Sequence, residues 1–118
     1  MTREEALLWH RKLWYTIADL LSKPQTEYVH TIEIKNIALK KCKWKGEKPI
    51  AGCFCCEYDD QFNGDCSRCP VVWKGESYNA CGNSEYADFK KALINKNFEE
   101  AVDIAFKIAE LPERSFDE

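Results

Sequence analysis

Two cysteine pairs, Cys53-Phe54-Cys55-Cys56 and Cys66-Ser67-Arg68-Cys69, stand nine residues apart in the middle of this chain. Each C-x-x-C knuckle offers two thiolates to one point, so Cys53, Cys56, Cys66 and Cys69 have the spacing of a tetrahedral Zn2+ site. Four sulfurs close the coordination sphere, whereas a catalytic zinc keeps an open position and mixes in His or carboxylate. The chemistry expected is therefore structural. Thiol redox motifs, by contrast, come singly at a helix start after a strand. Residues Asp59 to Asp65 have part of the spacing of a calcium loop, but Pro70 stands where the bidentate Glu belongs. Cys81, in a loop with Gly82 and Asn83, and His10 are the candidate substitute ligands, with His30 behind them. Cys55 is expected to point away from the metal, and Cys42 to be a small core residue.

The elements that must hold this segment are mostly helical. Thr2 with Glu5 forms a capping box, which predicts a helix to about Ser22, ended by Lys23-Pro24. Its apolar stripe is Ala6, Trp9, His10, Leu13, Trp14, Ile17, Leu20 and Leu21. A second helix is expected over about 31–42, although Val29, Thr31, Ile32 and Ile34 would also suit a strand. Gly46 and Pro49 break the chain before the cysteines. Asn63-Gly64 predicts a turn, hence a short β-hairpin that brings the two knuckles together. Val71, Val72 and Trp73 are expected to cover the metal with apolar surface. Asn83 or Ser84 caps a helix over about 85–95, with Tyr86, Phe89, Ala92 and Leu93 inward. Asn97, followed by Glu99 and Glu100, starts another. Phe98, Ala101, Val102, Ala105, Phe106, Ile108 and Ala109 form its expected apolar face, Pro112 stops it, and 113–118 form a frayed tail. The predicted fold is mainly α, three to four helices around a central four-cysteine zinc-knuckle segment. It is one domain, 1–118: N-terminal helices in 1–50, the zinc segment in 51–75, and C-terminal helices in 76–118.

The 118 residues carry 45% hydrophobic and 13% aromatic side chains, globular values for a single domain. No apolar run nears the length of a membrane span, and Met1 to Glu5 lacks a secretory apolar core. A cytoplasmic protein is expected, in which seven cysteines favour metal over disulfides. Net charge is −3 and uneven: residues 76–118 hold ten acidic and five basic groups. The one basic stretch, Lys40, Lys41, Lys43, Trp44, Lys45 and Lys48, is a candidate binding surface. Cations around an aromatic ring can hold a nucleic-acid strand, though such a run is more commonly a solvated helix end.

The run Cys53-Phe54-Cys55-Cys56-Glu57-Tyr58, with Cys66-Ser67-Arg68-Cys69-Pro70-Val71-Val72-Trp73, resembles small cysteine-rich proteins from phages and prophages of Gram-positive bacteria. In that family C-F-x-C-E-Y is followed by C-x-x-C-P-x-x-W. Thr2 to Ala6, His10 to Trp14 and Ile108 to Arg114 look like the family's two ends, and residues 24–50 match least. The resemblance implies a phage accessory product with a zinc site at Cys53, Cys56, Cys66 and Cys69, working in the host cell cytoplasm. No phosphate-cradling loop, serine elbow or acid/base pair is evident, so no enzyme is expected. The function expected is protein binding, on a host or bacterial defence factor, with Trp9, Trp44, Tyr78 and Tyr86 as anchors. A nucleic-acid-binding zinc module regulating transcription is the alternative, and a cysteine-dependent enzyme using Cys81 or Cys42 is a third.

Overall fold

A computed structural model of the chain describes residues 2–23, 31–46, 54–59, 70–71 and 85–113. The described part is mainly helical: α1 (Arg3–Leu21), α2 (Thr31–Lys41), α3 (Phe54–Asp59), α4 (Glu85–Ile94) and α5 (Phe98–Ala109). Helix α1 is the axis of the fold. It packs against α5, α3 and α2, while α4 packs on α5.

The capping box forms as the sequence predicts. The Glu5 amide donates to Thr2 Oγ1 at 3.1 Å, and the Thr2 amide donates to Glu5 Oε1 at 2.9 Å. Two orphan donors of the first turn are thereby satisfied. From Ala6 to Leu21 the buried residues recur at three and four, and Ala18, which has no side chain beyond Cβ, joins the expected stripe. Trp14 fills the space toward α4, meeting Phe89 edge-on at 4.9 Å and Tyr86 at 6.0 Å. Such edge-to-face pairs add roughly 0.5–1.5 kcal/mol beyond the burial of their area.

Helices α2 and α4 end in the same way. Lys43 and Lys96 take left-handed backbone, with φ of 66° and 58°. The amide of Lys43 donates to the Lys40 carbonyl and that of Trp44 to the Leu39 carbonyl. Lys96 and Asn97 repeat the pattern on Leu93 and Ala92. Both are Schellman turns, which satisfy carbonyls left open at a helix end. The second turn leads directly into α5, because Asn97 also caps that helix: its Oδ1 accepts from the Glu100 amide at 3.4 Å.

Three expectations need correction. Phe106 is not inward but 43% exposed, while Ile104 is buried. Ala101, Ala105, Ile108 and Ala109 fix the buried stripe, and Phe106 lies about 100° past Ala105. Glu113 is not part of a frayed tail: it pairs with Val71 in an isolated antiparallel bridge and meets Arg3 at 3.5 Å. Glu57, Tyr58 and Asp59, which the sequence places in the loop between the knuckles, belong to α3. The expected hairpin turn at Asn63-Gly64 and the expected caps Asn83 and Ser84 lie outside the described residues.

Candidate functional site

Of the four predicted zinc ligands, Cys53, Cys66 and Cys69 lie outside the described residues, as does Cys81, and only the backbone of Cys56 is placed, within α3. Phe54, beside Cys53, is fully buried and forms the floor of an aromatic cluster. Its ring lies 4.8 Å from that of Trp44, at the end of α2, and 6.0 Å from Trp9 on α1. Trp9 and Trp44 meet at 5.0 Å, inclined by 67°. Side chains from α1, from the end of α2 and from α3 thus converge in one cluster. Cys55 is fully buried in the same core, and Pro70 and Val71 are buried just beyond the second knuckle.

His10 is also buried, but its Nε2 lies 2.9 Å from the Ile108 carbonyl oxygen. A carbonyl only accepts, so that nitrogen carries the proton and is not a metal ligand in this arrangement. His10 instead ties α1 to the last turn of α5. Arg11 follows it, donating from Nη2 to the Leu111 carbonyl at 3.3 Å. Among the described residues, no group of three or more His, Cys, Asp and Glu is placed to hold a metal.

The basic stretch divides by role. Lys40 and Lys41 occupy the last turn of α2, where cations complement the helix dipole. Lys43 holds the Schellman turn and Lys45 follows it, both exposed. Trp44 is half-buried in the aromatic cluster and carries Gly46 against its ring: a Cβ at Gly46 would stand 2.6 Å from the indole. Trp9, Trp44 and Tyr86 are therefore committed to internal contacts and are not free anchors, and Tyr78 lies outside the described residues. A cavity of about 300 Å³ remains beside the cluster, lined by Asn36, Leu39, Lys40, Trp44 and Gly46.

Cys42, the other described cysteine, is partly buried, and its Sγ donates to the Leu39 carbonyl at 3.5 Å. Burial pushes the Cys42 thiol up from its ordinary range, so it remains protonated and weakly nucleophilic near neutrality.

Two features escaped the sequence reasoning. Lys35 is only 2% exposed, its Nζ donating to the Tyr86 hydroxyl at 2.8 Å and lying 4.3 Å from that ring's centre. A helical period that places Ile34 and Ala38 inward was the signal that position 35 borders the core. The second is a set of large apolar side chains left outside: Leu8 (54% exposed), Tyr15 (40%) and Phe106 (43%), with Ile94 (62%) on α4. Tyr15 and Phe106 meet at 6.0 Å across α1 and α5, and the Tyr15 hydroxyl donates to Glu110 Oε2 at 2.9 Å. That bond holds the Tyr15 hydroxyl above its ordinary pKa, because ionisation would place two negative charges together.

No helix of the described part is long and apolar enough to cross a membrane. Comparison with protein-family models, with curated proteins and with solved structures returned no match.

Proposed function

We propose that this chain is a noncatalytic helical protein, stapled by zinc at Cys53, Cys56, Cys66 and Cys69, that acts by binding another protein. The observation that carries it is the outward placement of Leu8, Tyr15 and Phe106 on a body that takes Trp14, Phe54 and Phe89 inside. Large exposed apolar side chains rimmed by charge mark interaction surfaces. Zinc is the simplest use of two C-x-x-C pairs in so small a chain, and the burial of Phe54, Cys55, Pro70 and Val71 supplies apolar footing beside both pairs. The resemblance to phage accessory proteins makes a host or bacterial defence factor the natural target.

The test is purification from producing cells, with metal and protein content measured on the same sample. One zinc per chain and a stoichiometric protein partner are expected. Material that is metal-free and has no partner overturns the proposal.

A second reading, binding of nucleic acid, draws on the cavity between Lys40 and Trp44. It requires binding that weakens steeply with added salt. Salt-independent or undetectable binding of duplex and single strands dismisses it.

A further inference from the structure

We infer that the cavity beside Trp44 takes one base of a single-stranded nucleic acid, whose phosphates run along the lysines at the end of α2. The step goes beyond protein binding and rests on the nucleic-acid reading above, to which it adds the kind of strand and the pocket.

Helical spacing builds one wall. Asn36, Leu39 and Lys40 stand at i, i+3 and i+4, so one face of α2 carries an amide, an apolar side chain and a cation into the cavity. The Schellman turn at Lys43 brings the chain back, and Trp44 and Gly46 complete the described lining. Gly46 lies so near the indole that a Cβ there would stand 2.6 Å from it. Any other residue at 46 would push the ring aside, so glycine keeps this wall in place. The volume, about 300 Å³, is at the small end of ligand pockets and leaves room for one base.

Three properties together select the occupant. Lys40, Lys41, Lys43 and Lys45 are exposed, and among the described residues none of them forms an ion pair. Glu33, the acidic residue of α2, stands about two turns before Lys40. Lys12 brings a further cation from α1, 4.5 Å from the centre of the Trp9 ring that meets Trp44. Leu39 and Trp44 then give the cavity apolar walls, which phosphates alone do not use. Asn36 supplies a donor and an acceptor for the edge of a base. A duplex keeps its bases stacked and paired, whereas a single strand can turn one out. Acidic peptides and anionic lipid surfaces would use the lysines and leave the cavity idle. A free nucleotide would fill the cavity and leave most of the lysines idle.

The test is fluorescence anisotropy on the full chain with a labelled strand of mixed sequence, roughly 12 nucleotides long. A duplex of the same length and an abasic sugar-phosphate strand are the comparison probes. The abasic strand keeps the charge and lacks the bases, and charge alone favours the duplex. The intact strand should bind about tenfold more tightly than either, the gain from one seated base. Its affinity should fall roughly tenfold between about 50 and about 200 mM salt. Lys40→Glu should weaken all three probes. Asn36→Phe fills the cavity, and should bring the intact strand down to the abasic level without changing abasic binding. Lys107→Glu, an equal charge change on α5, should alter nothing. Thermal melts by circular dichroism confirm that each variant folds, and the abasic comparison needs no variant. Equal affinity for the strand and its abasic form overturns the pocket, as does unchanged binding by Asn36→Phe or equal loss with Lys107→Glu. So does displacement of the strand by an equimolar mononucleotide, which would make the occupant a free nucleotide. Salt-sensitive binding without preference for the strand overturns this inference and leaves the nucleic-acid reading standing, whereas no binding of any probe removes both.

Discussion

His10 and Ile108, 98 positions apart in the chain, are joined by a hydrogen bond of 2.9 Å from imidazole Nε2 to a carbonyl oxygen of α5. The bond links the first helix to the last inside the core, where an unpaired polar group is expensive. His10→Leu is expected to lower stability by about 1–3 kcal/mol, the cost of an orphaned buried acceptor and a changed fit. If the cysteines hold zinc as proposed, its content should be unchanged, since this nitrogen is a donor here. Chemical denaturation and metal analysis of the same sample check both halves; loss of zinc with His10→Leu would restore the histidine as a ligand.

Lys43 and Lys96 hold left-handed backbone that costs a residue with a Cβ about 1–2 kcal/mol and costs glycine little. Lys43→Gly and Lys96→Gly should each stabilise the protein, by about 0.5–1 kcal/mol once the glycine's extra freedom in the unfolded chain is offset. A rise of a few degrees in Tm is expected for each, and the two should be nearly additive because they end different helices. A fall in Tm would mean that the lysine side chains make contacts outweighing the backbone strain.

Where a signal is local, the fold was legible. Thr2 with Glu5, and Asn97 with Glu100, are complete within four residues, and both caps form. Helices α1, α2 and α4 follow the apolar spacing within about a residue of expectation, and α5 ends at Ala109, short of Pro112. What failed depends on partners distant in sequence. Phe106 reads as core until α5 is turned against α1, and Trp9 and Trp44 read as anchors until Phe54 closes on them. The period of α2 puts Lys35 at the border of the core, but that its ammonium is buried is decided by Tyr86 on another helix. The contact of Tyr15 with Phe106 could not be read without the pairing of α1 with α5. The cysteine quartet rests on its spacing and on the buried residues beside it.

Tyr15 and Glu5 set opposite limits on the pH range of stability. The hydrogen bond to Glu110 raises the Tyr15 pKa. The stabilisation is therefore complete below the tyrosine's unfolded value and is lost as pH rises through the folded one. Glu5 is lowered by its hydrogen bonds with Thr2. Its contribution is present above the ordinary carboxylate range and is lost as pH falls through the folded value. Tyr15→Phe should flatten the alkaline limb of Tm against pH and leave the acid limb alone; Thr2→Ala should do the reverse. Identical profiles for the two variants would refute this assignment.

Cys42 should be slow toward alkylation. Burial keeps its thiol protonated near neutrality, and the thiolate is the reactive form. At pH 7.0, roughly, iodoacetamide should modify Cys42 far more slowly than it modifies free glutathione, with the gap narrowing as pH rises. Peptide mass spectrometry reads the site directly. Rapid labelling of Cys42 in the folded protein would revive a nucleophilic role for it.

Phe54 links the metal proposal to the helical body. Its side chain is fully buried against Trp9 and Trp44, and the first knuckle begins one residue before it. Phe54→Ala removes the floor of that cluster and should cost about 3–5 kcal/mol. If the four thiolates hold zinc, the variant still contains the ligands and should bind one ion, but more weakly, because an unanchored knuckle must be ordered when the metal arrives. Cys53→Ser and Cys66→Ser should instead lower the zinc content while leaving the Trp9–Trp44–Phe54 contacts to form. Chelator should lower the Tm of the parent chain strongly and that of the two serine variants little. Zinc retained at full affinity in both serine variants would place the ligands elsewhere, and an unchanged Tm in chelator would leave the aromatic cluster as the sole staple of this end of the fold.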